Sequence, residues 1–228
     1  MKESDPFNWK NCNVTDKDIL CVSLAALLHD IGHGPWSHFW DGSFIPSKMV
    51  DTAAVDINGK VVRGLKHPYR EMPEYLTEWT HEIASLKIID HIWKTNSEVQ
   101  EMCALFDITN DDIEFIKELI DPNGLKDLPD LASWSDQMKG RTEEKAFLYE
   151  VVSNKRNGLD VDKLDYLKRD LKYCKGTDVN IDYIRLFQNM KIEFTKGNGN
   201  RSLISIRDKC DSDVMEVFKL REKNHREM

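Results

Sequence analysis

Three histidines and two aspartates fall within fourteen residues, His29-Asp30-Ile31-Gly32-His33-Gly34-Pro35-Trp36-Ser37-His38-Phe39-Trp40-Asp41-Gly42. Asp30 follows an apolar stretch, where an ionised carboxylate needs a partner. A divalent metal supplies one, because neutral imidazole and carboxylate are ordinary ligands for zinc, iron or manganese. His33 stands four residues beyond His29 and projects from the same side if the helix reaches it. His38 and Asp41 are three apart and share a helix face, and an imidazole beside a carboxylate is oriented and tuned as a general acid or base. A lone His-Asp pair arises often by chance, and Asp30 could simply cap a loop. Three histidines around two glycines and a proline are harder to explain that way.

A second constellation is Asn154-Lys155-Arg156-Asn157-Gly158-Leu159-Asp160-Val161-Asp162-Lys163-Leu164-Asp165-Tyr166-Leu167-Lys168-Arg169-Asp170. Asn157-Gly158 predicts a turn and Asp160 an N-cap, which puts Asp162, Tyr166 and Asp170 on one face of the following helix. Lys163 lies beside that face. Such a set could serve a metal, a phosphate, a sugar ring and a sugar hydroxyl. Taken alone it reads more readily as a solvated face whose early acids suit the helix dipole. Trp79-Thr80-His81-Glu82 precedes another helical pattern, and by residue type alone His81, His67 and His91 carry no role.

The elements that would hold these groups are mainly helical. Thr15-Asp16-Lys17-Asp18 caps the apolar run Ile19–Leu28, which predicts a buried helix, and Pro35 predicts the first residue of a new helix through Trp40. Helical patterns return at about 79–94, 97–105, 110–120, 142–153, 160–173 and 214–228, with 121–141 reading as a loop. Asn58-Gly59 between Val55-Asp56-Ile57 and Lys60-Val61-Val62 predicts one small β-hairpin. A second is expected near 191–207, across Lys196-Gly197-Asn198-Gly199-Asn200.

The composition bounds the class. The 228 residues are 40% hydrophobic and 32% charged, which predicts a globular fold, with no apolar run near the roughly 18 residues of a membrane helix. Five widely spaced cysteines without a CxxC pair predict reduced thiols and an intracellular protein. A net charge of −8 gives no support to single-stranded nucleic acid as a partner.

Taken together, the His-Asp doublet and a later helix-borne Asp resemble the metal site of the HD superfamily of phosphohydrolases. The stretches His29–Pro46 (HDIGHGPWSHFWDGSFIP), Trp79–Glu82 (WTHE) and Phe147–Tyr166 (FLYEVVSNKRNGLDVDKLDY) look like the SAM- and HD-domain-containing deoxynucleoside triphosphate triphosphohydrolases, animal enzymes that restrict retroviruses. The similarity spans about residues 15–228 apart from an excursion at about 47–76. It implies one incomplete HD domain over 1–228, a mainly α helical bundle, in a protein of the nucleus or cytoplasm.

The same resemblance implies the site. His29, Asp30 and Asp162 match metal ligands; His81 matches the catalytic imidazole, and His38 with Asp41 a pair beside the scissile phosphate. His33, Lys163 and Arg221 match residues that grip the triphosphate, and Tyr166 and Asp170 those that hold the deoxyribose. Arg185, Arg207 and Lys209 match basic positions of nucleotide effector sites that assemble the family's tetramer, with GTP or a dNTP as effector. The implied cofactor is a divalent metal: zinc, iron, manganese or magnesium. Set against the family, no histidine precedes His29, Asp213 replaces an amide that contacts the effector, and no C-terminal lobe or SAM domain follows. The resulting expectation is a chain truncated at both ends that hydrolyses dNTPs poorly alone. The alternative is an impaired or inactive relative that acts through nucleotide or partner binding, and a phosphodiesterase of the wider superfamily ranks below both.

Overall fold

Asp16–Leu28 forms α1, and its first turn explains why an acid occupies so apolar a helix. Asp18 is buried and accepts from the Thr15 amide and hydroxyl, both at 2.9 Å, so it closes the helix start. The helix is less enclosed than its composition suggests. Cys21 and Ala25 are buried, while Ile19 and Leu27 are exposed, because only one face packs inward.

The computed structural model describes residues 12–45, 54–55, 61–62, 79–122, 138–176, 182–195 and 201–227. Contacts divide the chain into two units, Leu28–Val99, and Met1–Leu27 with Gln100–Met228. In Leu28–Val99, Ala54–Val55 (β1) pairs antiparallel with Val61–Val62 (β2), Ala54 opposite Val62. The Asn58-Gly59 turn, most of the 47–76 excursion and His67 lie outside the described residues. His81–Thr95 forms α2, whose N-cap Thr80 accepts from the Ile83 amide. The helix expected from Pro35 begins later. Trp36 and Ser37 take left-handed backbone angles, φ 62° and 55°, and a widened helical turn follows at Trp40–Phe44. Stacking of Trp40 on Phe44, with ring centroids 4.8 Å apart, holds that turn.

Ser97–Leu105 (α3) carries the chain into the other unit, where Asn110–Ile120 (α4) follows. Thr109 and Asp112 close α4 with a reciprocal capping box. A tight turn at Glu143–Leu148 runs into Tyr149–Val152 (α5), short of a full helix over 142–153. Val161–Lys175 (α6) starts on the predicted Asp160 cap and ends at left-handed Gly176. Tyr183–Gln188 (α7) leads to the second hairpin, Met190–Phe194 (β3) against Ser202–Ile206 (β4), in register Met190 to Ile206 and Phe194 to Ser202. Asp211–Glu227 (α8) completes the described chain.

The core of this unit joins α6 and α8. Leu159, Leu164, Leu167, Leu186, Cys210 and Val217 are buried together, with Tyr166, Met190, Ile206 and Phe218 packed around them. On the other side Arg141 ties α1 to α4, donating to Asp18 at 2.7 Å and Asp112 at 2.6 Å. Its guanidinium also lies over the Phe115 ring, 4.2 Å from the centroid. The mainly α fold with two small hairpins is as the sequence predicts. The five cysteines form no disulfide. Among the described residues, no helix is long and apolar enough to cross a membrane.

Candidate active site

The His-Asp doublet sits where α1 stops. The helix ends at Leu28, so His29 and His33 are not successive turns of one helix; tight turns carry the chain on, the His33 amide donating to the Asp30 carbonyl. Asp30 links the two imidazoles instead, with Oδ1 3.2 Å from His29 Nε2 and 3.4 Å from His33 Nε2. Ser85 on α2 anchors this segment by donating to the His29 carbonyl at 2.6 Å and accepting from the Gly32 amide at 2.9 Å. A Cβ at Gly32 would lie 2.2 Å from the His81 carbonyl oxygen, so the close approach of the two segments requires glycine there.

That approach assembles four groups from two segments. The His33 and His81 rings stack, centroids 3.9 Å apart and planes 12° from parallel, and His38 meets both edge-on at 5.0 and 5.1 Å. Asp41 faces both remaining imidazoles, with Oδ2 3.2 Å from His81 Nδ1 and Oδ1 3.8 Å from His38 Nδ1. Glu82 adds a second carboxylate 3.4 Å from His81 Nδ1. Asp41 and His81 are largely buried while His38 is 75% exposed, so the pair His81–Asp41 is fixed and His38 is open to a ligand. Burial and the neighbouring His81 push the His33 pKa down, against the pull of Asp30 in the other direction. The lowered pKa favours a neutral imidazole at His33, which can accept a proton. One ligand atom each from His33, His38, Asp41 and His81 lies within 4.8 Å of the others, a donor set that also suits a divalent cation.

In the other unit α6 presents Asp162, Tyr166 and Asp170 at intervals of one turn, all half-buried. Lys163 donates its ammonium to the Gly158 carbonyl and lies 5.6 Å from the Phe218 ring centroid. Burial pushes the Tyr166 phenol up, against a hydrogen bond from Arg221 on α8 that lowers it. Arg185 on α7 approaches the Lys209 carbonyl at 3.4 Å, while its other nitrogen lies 3.5 Å from Asp213. Arg207 and Lys209 are exposed at the start of the turn before α8. His91 is exposed on α2.

Sequence reasoning did not single out Ser85. Its signal was its position four residues after His81, one turn along the same helix face, which only acquires meaning once Gly32 is known to pack there.

A His-Asp doublet at a helix end, buttressed by a second helix carrying His81, in a mainly helical protein, is the arrangement of an HD domain. Comparison with known proteins agrees. The chain is 37% identical over 230 residues to the deoxynucleoside triphosphate triphosphohydrolase SAMHD1 of Gallus gallus, covering 99% of this chain and 31% of that protein. It is 37% identical over 215 residues to SAMHD1 of Homo sapiens, covering 93% and 29%. The HD domain-containing protein L394 of Acanthamoeba polyphaga mimivirus is 30% identical over 213 residues, covering 93% and 34%. Over nearly its whole length the chain is homologous to the SAMHD1 proteins and to this viral HD domain-containing protein. It spans about a third of the length of these curated relatives. No protein-family model matches it.

Proposed function

We propose that this chain hydrolyses deoxynucleoside triphosphates to the deoxynucleoside and inorganic triphosphate. The observation that carries the reading is the His81–Asp41 pair stacked against His33, within a chain homologous to triphosphohydrolases. His29, Asp30 and Asp162 are assigned to one divalent metal by the family pattern, and an imidazole with two carboxylates is a fitting donor set for zinc, iron, manganese or magnesium. When bound, the metal supplies Lewis-acid polarisation at the α-phosphate.

The chain's own residues do the rest. His81, its Nδ1 oriented by Asp41, offers Nε2 as the proton donor to the departing 5′-oxygen, and the exposed His38 stands beside the scissile phosphate. Lys163 and Arg221 neutralise the triphosphate, the Arg as a planar fork and the Lys as a point charge, and His33 grips it through a hydrogen bond. Tyr166 and Asp170 hold the deoxyribose, where a carboxylate accepts from the 3′-hydroxyl. Arg185, Arg207 and Lys209 take the phosphates of a GTP or dNTP effector, and effector binding drives homo-oligomer assembly. The family resemblance also supports a place in the nucleus or cytoplasm.

The test is release of inorganic triphosphate from dGTP with added manganese, iron or zinc. Turnover that is lost in His81→Ala is the expected result. A chain that binds dGTP but releases neither triphosphate nor any other product with any of these metals would overturn the reading.

A further inference from the structure

Between α5 and α6 the chain makes a compact loop, residues 154–160, whose organisation centres on one buried amide. The Asn154 side chain is 5% exposed at residue level and makes three contacts with loop backbone. Its Oδ1 accepts from the amides of Arg156 at 3.1 Å and Asn157 at 3.2 Å, and its Nδ2 donates to the Leu159 carbonyl at 3.2 Å. The Asn154 backbone joins in: its carbonyl accepts from the Gly158 amide at 2.8 Å and its amide donates to Asp160 Oδ2 at 3.0 Å. The other oxygen of Asp160 caps α6 through the Lys163 amide at 2.9 Å. The loop is thereby closed at both ends and across its middle.

Its outward product is the Gly158 carbonyl. Gly158 takes φ +69°, a left-handed angle that turns its carbonyl toward the first turn of α6, where the Lys163 ammonium donates to it. An ammonium has three donors, so one bond to Gly158 leaves two for phosphate oxygens. A long, flexible side chain held by one fixed acceptor loses less rotamer freedom when the anion arrives.

We propose that Asn154 is a positioning residue for Lys163: its amide fixes the loop whose Gly158 carbonyl aims the Lys163 ammonium at the triphosphate. This rests on the reading of Lys163 as a phosphate-binding cation. A purely structural role for Asn154 would change stability and leave the coupling to Lys163 at zero.

The experiment is a double-mutant cycle on the full chain, reading the dissociation constant of inorganic tripolyphosphate by calorimetry. Asn154→Ala should weaken binding by about tenfold or more, since a misplaced binding group commonly costs that much. In a Lys163→Ala background the same substitution should change binding less than twofold, while its loss of thermal stability stays the same. Asn154→Ser, which retains an acceptor of shorter reach, should fall between wild type and Asn154→Ala, and replaces it in the cycle if the alanine variant does not fold. Equal weakening in both backgrounds, or no weakening by the Asn154 variants where Lys163→Ala does weaken, overturns the positioning role alone. Unchanged binding in Lys163→Ala overturns the phosphate-binding reading of Lys163 and the positioning role with it.

Discussion

Nδ1 of His81 lies 3.2 Å from Oδ2 of Asp41, across forty residues of sequence, and both side chains are about 15% exposed. A carboxylate at that position fixes the orientation of the ring and which imidazole nitrogen carries the proton.

Asp41→Asn preserves the shape of this pair and removes its charge. The expected outcome is a fall in the rate of triphosphate release of about 10²–10⁴-fold, the range of general acid–base contributions. Single-turnover kinetics with saturating dGTP measure it. Binding of dGTP should change little, because His33, Lys163 and Arg221 carry the phosphate contacts in the proposed site. A variant that keeps its turnover but loses affinity would show that Asp41 grips substrate and does not tune His81.

Ser85 links α2 to the His29–Gly32 backbone, accepting a hydrogen bond from the Gly32 amide and donating one to the His29 carbonyl. Ser85→Ala leaves a buried amide and a carbonyl without that partner, which should cost about 2–4 kcal/mol. Urea denaturation reads the loss, and it should be accompanied by reduced triphosphate release at temperatures where the variant is fully folded. Ser85→Cys, of similar size with a weaker donor, should recover part of both. Full activity in a destabilised Ser85→Ala would detach this anchor from the placing of His29.

The helices were legible because their caps and apolar periods are local: Asp160 with α6 and the Ala/Leu run of α1 read correctly from a few residues, and α4 was expected at 110–120, although its cap is Thr109. The β3–β4 hairpin was legible for the same reason. Pro35 misled. Its fixed φ suits a helix start, but Trp36 and Ser37 adopt left-handed angles, and tertiary packing outweighs the local preference. His33 and His38 could be marked as chemical groups from their neighbours, yet the His33–His81 stack joins residues 48 apart, and no spacing rule reports a contact of that range. Family resemblance, not periodicity, singled out His81.

Metal content offers a third test that does not depend on turnover. Purified chain dialysed against a strong chelator and then reloaded with manganese or iron should bind metal, measured by plasma mass spectrometry. Asp30→Ala and Asp162→Ala should each lower affinity by at least the 10–100-fold typical of losses in a ligand's supporting partners. His38→Ala, which removes a side chain outside the assigned ligand set, should leave metal content unchanged. Loss of metal in His38→Ala with retention in Asp162→Ala would move the site to His33, His38, Asp41 and His81, whose ligand atoms also converge.

The fourth prediction concerns acid stability through Asp18. Burial alone would raise this carboxyl, whose side chain is 1% exposed, but hydrogen bonds from Lys145 at 2.6 Å, Arg141 at 2.7 Å and Thr15 outweigh it. Its pKa is held down to about 2, against 3.8 for the ordinary group. The folded state therefore binds this proton less readily than the unfolded chain, so the stabilisation is fully present above pH about 4 and is lost as pH falls toward 2. The difference corresponds to about 2 kcal/mol. Asp18→Asn should be less stable at pH 7 by about 2–4 kcal/mol, because it also leaves Lys145 without a carboxylate in a buried site. The gap between wild type and variant should shrink as pH drops from 5 to 2, since protonation does to wild type what the substitution has already done. Asp112, also held low by hydrogen bonds that outweigh its burial, shares Arg141 with Asp18, so the double variant Asp18→Asn/Asp112→Asn separates its slope from that of Asp18. Urea midpoints followed by tryptophan fluorescence at half-unit pH steps give the measurement. A gap that stays constant across that window would mean that Asp18 titrates normally and that the Arg141–Lys145 cluster does not hold it ionised.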